Sequence, residues 1–554
     1  MAPRGLGLLP FREPTILLPP PVRKKDRVRR RMPVMPRAAV EFRRYAILCH
    51  RWMGVALCVL FAAWFLSGIV LMYCEYPVVR ARDRLARAEP LDAGRIRVSP
   101  EQAYARLDAV EPPTEVHLSM FDGRPAYRFL FGRDSLLVYA DNGQLQDAFP
   151  APLTLRIAAA FAGQPPARAT FEGAVTREDQ WTVSGEFRAL RPLMKYSWPD
   201  GAEVYVSSIT GEVAQATTRA SRLGAWFGAI PHWLYFTSLR KHGATWSRVV
   251  IWASGIGTVT SLFGLLVGLL LYSPASRRYH FPRGRSSIPY AGQKRWHTLL
   301  GLLFGFVACT WVFSGMLSMD PFDWPEGAGD ARLEAAMRGG NLRMADFPDK
   351  SPAEALAQAA RQFPARELEL TMFAGQPVYL ARESPERSLV IPVDEPPSPW
   401  FSPARIASVL AQAVKPYDLT AVRVVNRYES YYVDRHGDRP LPVLSVRLND
   451  PRASLYYIDL RTARIVASYI TQTRWNRWLY HGLHSFDLPW LYRHRPAWDI
   501  VVLALMLGGT ALSVTSLVIG WRRLRYKMHS VFQRNPRRAA PLTPARRGIA
   551  SPPS

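Results

Sequence analysis

The stretch HRWMGVALCVLFAAWFLSGIVL, residues 50–71, decides the fold. From 52 to 73 no residue is charged, and a helix of about 20 apolar residues is enough to cross roughly 30 Å of hydrocarbon. A near-copy, HTLLGLLFGFVACTWVFSGML, occupies residues 297–317. His50, Gly54, Trp64, Ser67 and Gly68 align with His297, Gly301, Trp311, Ser314 and Gly315. Uncharged runs at 249–272, 296–319 and 500–521 complete a set of four candidate spans. Runs this long are hard to place inside soluble domains.

Charge then orients the spans. The chain has 554 residues, 48% of them hydrophobic, and a formal net charge of +27. A soluble chain this basic would point to nucleic acid, but here the cations crowd into three segments flanking the spans. Arg29, Arg30, Arg31, Arg43 and Arg44 precede the first span; Arg277, Arg278, Arg283, Arg285, Lys294 and Arg295 sit between the second and third; Arg522, Arg523, Arg525 and Lys527 follow the fourth. The segments 74–248 and 320–499 hold almost all the Asp and Glu. The positive-inside rule places the three basic segments in the cytoplasm and both long segments outside. The expected partner is therefore a lipid bilayer and not nucleic acid.

The expected order is a disordered basic cytoplasmic head (1–44), a first span (45–73), a first outer domain (74–245), a second span (246–272), a cytoplasmic loop (273–295), a third span (296–319), a second outer domain (320–497), a fourth span (498–521) and a basic cytoplasmic tail (522–554). The first run is long, rich in Trp and Phe, and lacks a small-x-small cleavage site, so it reads as a span and not a signal peptide. Met32 and Met35 are alternative starts. Cys49, Cys58, Cys74 and Cys309 all sit in or beside spans, which leaves no disulfide framework outside.

The duplication extends beyond the spans. Aligning Leu118 with Leu370 also aligns Met120, Phe121, Gly123, Pro125 and Tyr127 with Met372, Phe373, Gly375, Pro377 and Tyr379. At the same offset Arg222, Trp226, His232, His242 and Trp246 meet Arg474, Trp478, His484, His494 and Trp498. Two copies in one orientation predict an axis along the membrane normal, with equivalent residues facing each other at equal depth. The expected fold is a four-helix membrane protein built from two parallel repeats, with two α+β outer domains. Ser-capped helices are predicted from Pro100 and Pro352 and a further helix from Pro403, with strands at 126–131, 135–139, 203–207, 442–448 and 454–459. No Ser-His-Asp order, paired-Cys spacing or Gly-rich phosphate loop appears outside, and His117 and His436 read as isolated.

The candidate chemistry lies in the membrane histidines. His50 and His297 start spans one and three; His232 and His484 lie on the outer side before spans two and four. Ionisable groups at membrane depth are costly and mark functional sites. Histidine is also a common haem-iron ligand. Gly54 and Gly301 follow one turn after His50 and His297 on the same helix face, where a flat macrocycle could approach the backbone. Two bis-His sites, His50 with His297 and His232 with His484, would hold two haem b groups. The competing reading is a histidine resting in the headgroup layer. His481, in H-x2-H with His484, and the repeat-paired His242 and His494 are backup ligands; His280 and His529 read as surface groups. Gly257, Gly264 and Gly268 suggest close helix packing.

The pattern His50-Arg51-Trp52-x-Gly54 leading to Ser67-Gly68, with its copy from His297 to Gly315, resembles the PepSY-associated transmembrane helix family. The outer segments ending in Tyr205 to Gly211 and Tyr457 to Thr462 resemble PepSY domains, with Ser207 in place of the usual Asp and Ala463 in place of the usual Gly. The resemblance implies two PepSY-like periplasmic domains on a bacterial inner-membrane protein. It implies a ferric-siderophore reductase-type oxidoreductase that carries haem and passes electrons to a periplasmic iron chelate. The basic tail resembles no fused flavodoxin-like domain, so a separate cytoplasmic or membrane donor is expected. The alternative is a non-enzymatic PepSY envelope protein that binds peptides or regulates peptidases. Solute transport between the halves is disfavoured, because no Asp, Glu, Lys or Arg lies inside the spans.

Overall fold

The structure is a computed structural model, and it describes residues 37–533 apart from 110, 133, 274–278, 283, 323–329, 348 and 436. Most of the head, most of the tail and His436 thus lie outside the described residues. The chain divides into a unit ending at Tyr45 and a unit from Ala46 onward; the described part of the first is the start of a helix, and everything below concerns the second.

Four long helices carry the uncharged runs: α1 (Arg37–Leu71), α2 (Gly243–Leu271), α3 (Gln293–Leu317) and α4 (Ala497–Gln533). All four are long and apolar enough to cross a membrane. Val59, Leu66, Leu269, Leu303, Phe306 and Leu507 on their outer faces are exposed, as lipid-facing side chains must be. Hydroxyls inside the spans bond to their own helix: Thr258, Ser261, Thr510 and Ser513 donate to carbonyls one turn back, so these four are not orphan donors in hydrocarbon. Two expectations are corrected. The head is helical from Arg37, and α4 runs to Gln533 instead of ending at 521. Helix geometry continues beyond the hydrocarbon wherever long cationic side chains reach the aqueous layer.

The first outer segment contributes β1 (Glu115–Phe121), β2 (Arg124–Phe131), β3 (Asp134–Tyr139), β4 (Leu145–Gln146), β5 (Thr170–Val175), β6 (Leu193–Ser197), β7 (Glu203–Ser207) and β8 (Val213–Thr217). The connection between α2 and α3 contains a hairpin of β9 (Tyr279–Phe281) and β10 (Gly284–Ser286). The second outer segment contributes β11 (Glu367–Phe373), β12 (Gln376–Arg382), β13 (Ser388–Pro392), β14 (Leu419–Val425), β15 (Val443–Leu448), β16 (Leu455–Asp459) and β17 (Ile465–Tyr469). Short helices Pro100–Tyr104 and Pro352–Ala360 start on capping boxes, Ser99 with Gln102 and Ser351 with Glu354, each with Pro at the first position. The helix Pro403–Ala413 is capped by Ser402.

The strands do not segregate into two sheets by outer segment. β13-β12-β11-β1-β2-β3-β4 make one seven-stranded antiparallel sheet, while β5–β8 and β14–β17 form a four-stranded sheet each. The join is β1 against β11, with His117 opposite Glu369 and Leu118 opposite Leu368. His117 and Glu369 are aligned positions of the two halves, so the join brings equivalent residues together. One face of this sheet is a single apolar core shared by both halves, including Val116, Leu118, Tyr127, Phe129, Leu368, Leu370 and Tyr379, roofed by Ala103 and Leu356 of the capped helices.

The alternate residues of the same strands form an ionic network, which corrects the reading of His117 as isolated. His117 Nε2 lies 3.2 Å from Glu115 and its Nδ1 3.6 Å from Glu367. Arg382 bonds to Glu367 at 2.8 Å and also to Glu369, and Arg464 bridges Glu369 at 2.6 Å and Glu115 at 3.1 Å. Burial disfavours the imidazolium, but the side-chain interactions in which His117 N–H groups point at the Glu115 and Glu367 carboxylates, with the charges of Glu367 and Glu369, outweigh it and raise His117 to about 10. Burial also opposes ionisation of Glu367, yet His117 and Arg382 hold it down at about 2.

Two predictions follow from this architecture. His117 titrates higher in the folded state, so its contribution is full below about 6.5, its ordinary value, and is lost as pH rises toward about 10. The melting temperature of the detergent-solubilised protein should therefore fall between those pH values, and His117→Gln should flatten that fall; an unchanged slope in the variant removes His117 as the cause. Cys49 and Cys74 are free and exposed at opposite ends of the apolar part of α1. In sealed spheroplasts a membrane-impermeant maleimide should label Cys74 and spare Cys49 until the membrane is opened; the reverse pattern would invert the topology.

Candidate functional site

The four helices bring the predicted histidines together in two pairs. His50 of α1 faces His297 of α3 with ring centroids 6.0 Å apart. His232, on the short helix Ala229–Trp233, faces His484, on Leu483–Ser485, with centroids 6.1 Å apart. Each pair consists of aligned positions. His50 and Ser67, which touches His232, are separated by about 17 residues of α1, so the pairs stand roughly 26 Å apart along the helix.

Each ring is held by one nitrogen. His50 Nδ1 donates to the Thr260 carbonyl at 3.0 Å, His232 Nδ1 to the Trp64 carbonyl at 3.1 Å, and His484 Nδ1 to the Trp311 carbonyl at 3.1 Å. A carbonyl only accepts, so Nδ1 carries the proton in these three. His297 Nδ1 meets the hydroxyls of Thr515 at 3.2 Å and Ser516 at 3.3 Å. Both hydroxyls spend their own protons on the Leu512 carbonyl, so they too accept from Nδ1. Ser67 and Ser314 stand beside His232 and His484 at 3.3 and 3.1 Å. All four rings are therefore Nδ1–H tautomers whose Nε2 makes no hydrogen bond with a described residue. A metal-binding imidazole is oriented in this way, with one nitrogen bonded to the protein and the other free to ligate. Outside the spans, burial pushes His232 down to about 4 and His484, with His232 beside it, to about 3; both are neutral, as ligation requires.

Glycines make the room. Gly54 has nothing within 4 Å of where a Cβ would stand, and the nearest atom to that point on Gly301 is Leu512 Cδ1 at 3.8 Å. Both line a cavity of about 290 Å³ that also reaches His50, His297, Gly264 and Phe65. Gly257 and Gly268 admit Val312 and Leu302, as close packing predicts. Gly264 serves a different purpose: a Cβ there would lie 2.5 Å from His50 Cε1, so this glycine seats the ring. Cβ atoms on Gly68 and Gly315 would lie less closely against His232 and His484, at 3.2 and 3.3 Å, and the one on Gly68 would meet Met506 first, at 2.2 Å.

The pairs suit one metal between two imidazoles. An imidazole nitrogen binds a first-row metal at about 2.0–2.1 Å, so two rings on opposite sides of one ion have centroids roughly 6 Å apart. The observed 6.0 and 6.1 Å agree with that spacing. No group of three or more His, Cys, Asp or Glu forms among the described residues, which leaves pairs and not a zinc-type cage. The backup ligands stay outside both pairs. His481 stacks on Tyr480 at 4.5 Å, His242 is the exposed N-cap of α2, and His494 is exposed and bonded to the Trp490 carbonyl. His280 and His529 are exposed. The sequence reading missed the hydroxyl and glycine supports; the repetition of Ser67-Gly68 as Ser314-Gly315 was their visible signal.

These features define a multi-pass membrane protein with histidine pairs at two levels of one helix bundle. The chain belongs to the PepSY-associated TM region family, which it matches over residues 47–523. No curated protein matches it.

Close contacts at the glycines make a stability prediction. A Cβ on Gly509 would sit 2.1 Å from Phe65, whereas one on Gly54 meets nothing. Gly509→Ala should lower the thermal midpoint, because overpacking costs about 1–3 kcal/mol, and Gly54→Ala should leave it unchanged in the same melt. Equal midpoints for both would remove the packing role given to Gly509.

Proposed function

We propose that this protein is a transmembrane electron-transfer protein that reduces a ferric chelate outside the bacterial inner membrane for iron uptake. The observation that carries the reading is the pairing of four imidazoles at two depths, every Nδ1 anchored and every Nε2 without a partner among the described residues. His50 and His297 would hold one haem b, and His232 and His484 a second. When bound, haem supplies a one-electron carrier at each depth. The Trp64 and Trp311 carbonyls and the Ser67 and Ser314 hydroxyls fix the outer rings; Thr260, Thr515 and Ser516 fix the inner ones. The apolar spans exclude water from both sites. Both termini and the His50 end are cytoplasmic in this reading, the tandem repeat supplies one ligand per half at each depth, and the outer domains are periplasmic and dock the chelate. A separate cytoplasmic or membrane donor gives one electron for each Fe(III) reduced. Fe(II) is the softer ion and leaves a hard oxygen chelator more readily.

A second reading, a PepSY envelope protein that binds peptides, has one observation in its favour. β5 and β14 are edge strands of their sheets and are largely exposed, with Phe171, Val422 and Val424 open; an extended peptide could pair there.

Optical spectra of the purified protein, oxidised and dithionite-reduced, separate the two. The expected result is a low-spin bis-His Soret and α band, halved by His50→Ala or His297→Ala and halved again when His232→Ala or His484→Ala is added. Protein expressed with ample haem that shows no Soret band, or a band indifferent to all four substitutions, sinks the electron-transfer reading.

A further inference from the structure

The cavity beside His50 and His297 is symmetric in its imidazoles and in Gly54 and Gly301, and asymmetric in its charge. Arg51 of α1, Lys294 of α3 and Arg523 of α4 all line it. Their aligned counterparts Thr298, Ile47 and Leu271 line it too, and none is charged. Arg51 adjoins His50, and Lys294 lies one turn before His297, so the cations stand at the end of the cavity where the imidazoles are. None of the three forms an ion pair with a described residue, although the Arg523 guanidinium lies over the Trp52 ring at 5.9 Å. No acid is near in sequence either: residues 46–73, 243–319 and 500–554 contain no Asp or Glu.

Arg51 and Lys294 are exposed at the mouth of this apolar cavity and Arg523 is half-buried, so an anion seated there would meet three positive charges. The Arg523 Nε atom is itself buried without a hydrogen-bond partner. The occupant this cavity suits has a flat apolar body that fits against Gly54 and Gly301, a metal for two imidazoles, and anionic groups on the edge nearest the mouth. We propose that Arg51, Lys294 and Arg523 bind the carboxylates of the porphyrin held between His50 and His297. This rests on the function proposed above. The charges fix which edge of the macrocycle faces the His50 end, and they attract the anionic group during assembly. A lipid phosphate offers similar chemistry from another source, so the test must separate the two.

The experiment is a Soret titration of haem-free, full-length protein in phosphatidylcholine nanodiscs with haem and with haem dimethyl ester, which lacks the carboxylates. A His232→Ala/His484→Ala background isolates the inner pair, and unsubstituted protein is titrated alongside in case that background misfolds. The expected result is about ten-fold or more weaker binding of the ester than of haem. Arg51→Gln/Lys294→Gln/Arg523→Gln should lose the same factor for haem and nothing for the ester. Equal affinity of unsubstituted protein for haem and ester overturns the inference without any substitution. A triple variant that binds haem normally but no longer enriches phosphatidylglycerol around it assigns the cations to lipid and overturns it as well. Protein that binds neither ligand overturns the proposed function and this inference together, whereas tight binding that ignores the carboxylates overturns this inference alone.

Discussion

A histidine buried among membrane helices must satisfy two ring nitrogens where water is scarce, and this constraint organises the bundle. Helix carbonyls are already used along their own axis, so a ring must find one with a spare lone pair on a neighbouring helix. Trp64 and Trp311 offer theirs to His232 and His484, and Thr260 offers its own to His50. Such bonds need the ring to lie almost against the neighbouring backbone, which only glycine permits. Gly68, Gly315 and Gly264 stand at those contacts. Once Nδ1 is fixed, the ring plane is fixed, and Nε2 is left without a protein partner. The four imidazoles stand as two pairs with ring centroids 6.0 and 6.1 Å apart.

The facing arrangement depends on events outside the membrane. Helices in lipid gain little from the hydrophobic effect on one another, and their relative depth is only loosely set by span length. The β1–β11 join removes that freedom. It places His117 opposite Glu369 and merges two outer segments over one apolar core, so the halves can slide past each other only by breaking a strand register. A one-residue slip would turn the apolar set outward and the ionic set inward. His117, Glu367, Arg382 and Glu369 therefore act as a registration mark for helices they never touch. The seven-stranded sheet accounts for imidazoles that meet at equal depth at both ends of the bundle.

Much of this was legible in the sequence, because span length and absence of charge are one-dimensional properties. The four spans, the alignment of His50 with His297 and of His232 with His484, and the Ser-capped helices could all be read directly. Register and rotation could not. Strands 126–131 and 135–139 were visible as strands, but nothing local said that β1 would pair across the halves. Glu115 stands two residues from His117 in the chain, whereas Glu367 and Arg382, which complete the network, are far away in sequence and adjacent only through that pairing. Gly264 read as packing because its partner, the His50 ring, comes from another helix. The departure at Ala463 from the usual glycine has a visible cost: it holds φ +53, while Gly211 at the aligned position holds φ +69 without strain.

The two ends of the bundle differ in charge in a way that duplication alone does not explain. At the His232 end cations are answered by acids: Arg435 pairs with Asp487 at 3.3 Å, and Arg495 with Asp499 at 3.5 Å. At the His50 end, residues 46–73, 243–319 and 500–533 hold no Asp or Glu to answer Arg51, Lys294 and Arg523. The imidazole pairs are equivalent in sequence, support and spacing, so the difference between the ends lies in their surroundings. The aligned imidazole pairs thus match in ring spacing, whereas the charged residues around them differ between the two ends.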